Sequence, residues 1–156
     1  MIDVRVPLFV LFSAVSCLVV AETPQLSDAW VRAMPPGQTM TAVYLQLHNP
    51  DAAPLSVLGA SSSFGAASLH ETRVEEGRSM MRAVDTLTVD AGTMVQLKPG
   101  GLHIMLMGLE RTPAEGEVVP ICLQTSNGDV CADATVRRSA PGSANTDDAG
   151  NSHDHH

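Results

Sequence analysis

Aromatic side chains are scarce here: Trp, Tyr and Phe together make 3% of 156 residues. A core built on large rings is therefore excluded, and Val, Leu, Ile, Ala and Met must fill it. Basic residues are outnumbered, nine Lys and Arg against seventeen Asp and Glu, for a formal charge of −8. That balance argues against nucleic acid and anionic membrane as partners. No stretch shows apolar periodicity of helical length, and no segment repeats. The hydrolase motifs G-x-S-x-G and H-E-x-x-H are missing, as is a convincing carboxylate pair, so nothing points to an enzyme. Cysteines number three.

One apolar run stands out, Val6 to Val20, broken by Ser13 and Ser16. It is short for a membrane span and is not followed by stop-transfer character. With Arg5 before it and Val19-Val20-Ala21 at its end, residues 1–21 read as a cleaved secretory signal. A second reading takes Ala14-Val15-Ser16-Cys17 as a lipoprotein site. The expected mature chain is then exported to the periplasm, with one domain at 22–138. Cleavage removes one acid (Asp3) and one base (Arg5), so the net charge is unchanged. From Ser139 the composition is Ser, Ala, Gly, Asn and Asp. Residues 139–156 are therefore expected to be a disordered tail, tipped by His153, His155 and His156.

Short β-rich stretches fill the domain, punctuated by turn residues: 27–32, 41–48, 55–60, 68–74, 79–84, 86–89, 93–97, 102–109, 118–124 and 130–137. Residues 61–67 read as a loop or one helical turn. Many short strands at close spacing predict an all-β sandwich or barrel. The loop Thr125-Ser126-Asn127-Gly128 predicts a hairpin that sets Gln124 opposite Asp129 and Cys122 opposite Cys131. An exported protein with two such cysteines is expected to bridge them. Free core thiols or metal ligands are the alternatives.

What the chain does carry is methionine, eight in all. Methionine is often a gap-filler in cores, so position must decide which ones do chemistry. Along the strand at 102–109 side chains alternate. Leu102, Ile104 and Leu106 share one face; His103, Met105 and Met107 share the other. His70 and Met81 extend the set to H-x10-M-x21-H-x-M. Two imidazoles and two thioethers, with no thiolate or carboxylate, favour Cu(I) over hard cations and over zinc. Thioethers bind without losing a proton. Met80, beside Met81, could take its place after a register slip.

The spacing resembles the signature of the periplasmic copper chaperone family PCuAC. So do Asp28-Ala29-Trp30-Val31-Arg32, Ala42-Val43-Tyr44, Leu69-His70-Glu71, Met81-Arg82 and Leu97 to Leu106, and the likeness covers about residues 27–137. The resemblance implies a cupredoxin-like Greek-key β-sandwich that binds Cu(I) through His70, Met81, His103 and Met105. It implies a copper-accepting partner, either the CuA subunit of cytochrome c oxidase or a Sco-type thiol protein. A monomer is expected. The three tail histidines offer imidazole for Cu(II), the alternatives being a tag remnant or a merely solvated tail.

Two other functions compete. An electron-transfer cupredoxin needs a Cys ligand with two His and an axial Met. Neither cysteine here is followed by the nearby histidine that such a ligand loop requires. A non-metal interaction sandwich would leave the His and Met residues as bystanders.

Overall fold

A computed structural model describes residues 22–142. The signal at 1–21, Cys17 and the tail histidines His153, His155 and His156 lie outside the described residues. Ten strands follow in order: β1 (Gln25–Arg32), β2 (Met40–His48), β3 (Leu55–Ser61), β4 (Ala66–Glu75), β5 (Arg78–Ala83), β6 (Leu87–Val89), β7 (Met94–Leu97), β8 (Leu102–Met107), β9 (Val118–Thr125) and β10 (Gly128–Arg137). The described part of the chain contains no helix. The segment read as a loop or helical turn is shorter than expected: β4 starts at Ala66, after a tight turn closed by the Ser62–Gly65 bridge.

Hydrogen bonding runs β5-β4-β8-β2-β1-β10-β9-β3-β6, with β7 added to the far end of β2. The β1–β10 pairing is parallel and the rest antiparallel. β2 is the pivot: Met40 to Val43 pair with β8, while Leu45 to His48 pair with β7. The sheet thus closes into an all-β sandwich around one core.

Alternation explains that core. On β8, Ile104 and Leu106 point inward and are fully buried; on β9, Val119, Ile121 and Leu123 do the same, and on β10 Ala134 and Val136. They meet Val31, Val43, Leu45, Leu47 and Leu69 from the other strands. Each buried Val, Leu or Ile contributes about 1.5–3 kcal/mol of transfer free energy. No methionine belongs to this buried set among the described residues. The gap-filling expectation for Met therefore fails: branched aliphatics suffice.

Among the buried polar residues Asn49 is the fully enclosed one, just past the end of β2. Its Nδ2 donates to the carbonyls of Ala53, Val89 and Asp90, and its Oδ1 accepts from the Asp51 N–H. Every partner it needs is protein, so it ties the β2–β3 turn to β6 without an orphaned group.

The last hairpin has the predicted register, Gln124 opposite Asp129 and Cys122 opposite Cys131. The two cysteines are joined, Sγ to Sγ at 2.03 Å. At the other side of the sandwich, β1 carries a bulge. Pairing slips by one residue between Ser27 and Trp30, and Asp28 takes φ 50°. Asp28 tolerates this left-handed conformation and accepts a hydrogen bond from Gln46 Nε2 at 2.9 Å. The slip reverses the facing of the strand. Trp30 therefore turns to the outer face, where it is covered beside Tyr44, rather than into the main core.

Candidate metal centre

Directly opposed residues on adjacent strands share a face. His70 on β4 stands opposite His103 on β8, Ser68 stands opposite Met105, and Thr72 on β4 stands opposite Met81 on β5. Since Ser68, His70 and Thr72 alternate with inward positions, all four candidate side chains lie on one outer face of β5-β4-β8. Met80 pairs with Arg73 and lies on the reverse face of β5.

The imidazole rings are stacked, with centroids 6.2 Å apart and planes 29° from parallel. A centroid separation of this size suits two imidazoles that share one ion, provided each ring turns to aim an in-plane nitrogen at it. Met81, His103 and Met105 line an open groove of about 390 Å³ together with Tyr44 and Ala42. His103 is the buried member, only 4% exposed, whereas Met81 is 53% exposed. One side of the set is thus enclosed and the other faces solvent.

Hydrogen bonds fix one ring. His103 Nδ1 lies 2.9 Å from the Gly101 carbonyl. A carbonyl only accepts, so Nδ1 carries the proton and Nε2 keeps its lone pair free for a metal. The same carbonyl accepts the Thr72 N–H at 3.1 Å, which anchors it. The turn behind it depends on Gly100, at φ 77°. Gly101 is not required for space, since a Cβ there would meet only ordinary contacts with Lys98. His70 is held differently, its Nε2 lying 3.0 Å from Ser68 Oγ.

Burial lowers the pKa of His70, and the neighbouring His103 lowers it further. Both causes favour the neutral ring, the form that binds metal.

Trp30, Tyr44 and Ala42 form a second small cluster on this face, with Met105 and Ala140 packed against it. Trp30 and Tyr44 have ring centroids 4.6 Å apart, and Tyr44 lies 6.3 Å from His103. Arg32 sits over the Tyr44 ring at 5.9 Å. Burial raises the Tyr44 pKa, an effect that Arg32 opposes. Two of the few aromatics therefore wall one side of the histidine pair. Ala140, at the start of the segment expected to be disordered, is half-buried against them.

Among the described residues no three His, Cys, Asp or Glu side chains come together in a cluster fit for a metal. Cys122 and Cys131 are bonded to each other on β9 and β10, away from this face of β5-β4-β8, so neither offers the site a thiolate. The residues together make a soft, neutral set of donors. The aromatic wall, Ser68 and the groove were not apparent in the sequence, because each depends on strand register. Trp30 and Ala42-Val43-Tyr44 stood out in the sequence only as part of the family resemblance.

A family model described as "Putative lipoprotein LpqE-like" matches residues 25–136. A protein of Leifsonia xyli subsp. xyli named "Putative lipoprotein Lxx21020" is 37% identical over 110 residues, covering 69% of this chain. The chain spans 65% of the length of that relative. Among solved structures, the solution structure of CuI-DR1885 from Deinococcus radiodurans is 33% identical, with a TM-score of 0.57, over 72% of this chain and 76% of the other. Its apo form is 30% identical at a TM-score of 0.58, over 89% and 95%. The copper-bound PCuAC domain from PmoF2 has a TM-score of 0.63 at 20% identity, over 77% and 97%, a likeness of fold alone.

Proposed function

Because the chain belongs to the LpqE-like family, we propose that it is an exported carrier of Cu(I) rather than an enzyme. The observation that carries this reading is the direct opposition of His70 and His103, with Met81 and Met105 on the same face. The solved structure of a relative in a Cu(I) form supports it.

The ion is cargo, and His70, Met81, His103 and Met105 are its proposed ligands. His103 offers Nε2 from a buried, oriented ring. His70 offers a ring that resists protonation. Met105 supplies sulfur from the groove wall, and Met81 supplies it from the exposed side. Four neutral donors leave the ion's charge uncompensated and hold it more loosely than thiolates do. An acceptor rich in cysteine, such as a CuA subunit or a Sco-type protein, could then replace the donors stepwise, beginning at exposed Met81. Differences in affinity would set the direction.

The lipoprotein names of the family and of the Leifsonia relative favour a lipid-anchored form, with Cys17 as the attachment point, over simple release after Ala21. Detergent-phase partitioning of the native protein and of Cys17→Ser separates the two. Only loss of partitioning in the variant supports the anchor.

X-ray absorption on the Cu(I)-loaded chain tests the central claim. The expected shell mixes nitrogen and sulfur, losing nitrogen in His70→Ala and sulfur in Met81→Ala. A shell unchanged by both substitutions rules these residues out as ligands. The blue-copper alternative loses its thiolate to the Cys122–Cys131 bond.

A further inference from the structure

All seven methionines among the described residues stand outside the buried core. Five of them gather on the face just described. Met81 and Met105 belong to the proposed Cu(I) set; Met34, Met40 and Met107 do not. Met40 on β2 is directly opposite Met107 on β8. Met107 lies two residues beyond Met105 and so shares its face. The β1–β2 register, Trp30 opposite Tyr44 and Val31 opposite Val43, brings Met34 opposite Met40 when continued past the end of β1. Met34 and Met40 line the same groove as Met81, His103 and Met105.

The face therefore reads in rows across the sheet. One row holds His70, His103, Tyr44 and Trp30. The next holds Ser68, Met105, Ala42 and Arg32. The third holds Ala66, Met107, Met40 and Met34. Neighbours within a row have Cβ atoms about 5 Å apart. An unbranched thioether with three rotatable bonds can close that distance onto one ion. Core packing gives no reason for this third row, since Met40 is 48% exposed.

We propose that Met34, Met40 and Met107 form a second, sulfur-only site for Cu(I), further along the same sheet face beyond Met105. The proposal rests on the reading of the His70 set as a Cu(I) site. Thioethers alone select soft monovalent copper, and no hard cation competes for them. Met107 lies two residues along β8 from Met105, about 7 Å, and four from His103, about 13 Å. Arg32 lies in the same groove with its guanidinium over Tyr44, so its positive charge bears on both sites; the second ion, bound beside a like charge, is the weaker-held one. Such a site stages an ion next to the main one, at the end of the groove nearest Met34.

The test is anaerobic titration of the full mature chain with Cu(I), buffered by a competing chelator. Met34→Leu/Met40→Leu/Met107→Leu should bind one equivalent fewer than the native chain, and its tightest site should change by less than about threefold. Leucine conserves volume here, and circular dichroism checks the fold. Met40→Leu alone should weaken only the second equivalent. Met94→Leu, on β7, should change nothing. His70→Ala/His103→Ala, loaded with one equivalent, should give a sulfur-only absorption shell. If the triple variant binds as many ions as the native chain, or the double variant keeps nitrogen in its shell, the proposal is overturned. If the native chain binds one ion in a nitrogen–sulfur shell and no second, only this proposal fails. If it binds none, the proposed function fails with it.

Discussion

Ser68 Oγ lies 3.0 Å from His70 Nε2, so the serine occupies a nitrogen that a metal would need. Ser68 is also directly opposite Met105. Removing the hydroxyl frees that nitrogen at the cost of one net hydrogen bond, about 0.5–1.5 kcal/mol. Ser68→Ala should tighten Cu(I) binding about two- to tenfold, read by chelator competition. Weaker binding in the variant would show that the serine orients the ring and that Nδ1 is the ligating nitrogen.

Met81 separates binding from stability. It is more than half exposed on a strand whose every residue is exposed. Met81→Ala should change unfolding free energy by no more than about 0.5 kcal/mol. Its Cu(I) affinity should fall at least about tenfold, the loss seen even for groups that only support a ligand. Chemical denaturation and copper competition on the same preparation check both halves.

Asn49 should behave in the opposite way. Asn49→Leu removes the donor to three carbonyls, of which Val89's is the buried one and Asp90's keeps Thr93 as a donor, and it leaves a buried gap without polar partners. The expected loss is about 1–3 kcal/mol of stability. Copper binding should be unchanged, since β6 and the β2–β3 turn contribute nothing to the metal face.

Glu117 supplies a pH signature. Hydrogen bonds from the Arg111 guanidinium, then from the Ala114 N–H, hold its pKa down at about 2, against an ordinary 4.5. The folded state therefore binds this proton less readily than the unfolded chain. The contribution to stability is complete above about pH 4.5 and is lost as pH falls toward 2. Thermal melts of Glu117→Gln should show a shallower decline over that window than the native protein. Identical slopes would remove Glu117 from the acid response.

Residues whose role follows from local spacing were legible in the sequence. The alternation His103-Ile104-Met105-Leu106 fixes an inner and an outer face on one strand. The turn Thr125 to Gly128 fixes the hairpin register that sets Cys122 opposite Cys131. Roles that depend on long-range pairing were not legible. Nothing local says that Ser68 faces Met105, or that Met40 sits opposite Met107. The Asp28 bulge was equally hidden: two residues opposing one reverse the facing of Trp30, and only the β1–β2 pairing reveals it. Asn49 looked like a strand terminator because two of its carbonyl partners lie some forty residues ahead.

β5 ends one side of the sheet and, among the described residues, hydrogen-bonds to β4 alone. His70, His103 and Met105 ride on strands gripped from both sides, so three donors sit on a fixed bench. The fourth, Met81, sits on a flap with one seam. Such edges open at lower free energy than the body of a fold. Local fraying of this hairpin would unhook a single sulfur and leave the rest of the cradle standing.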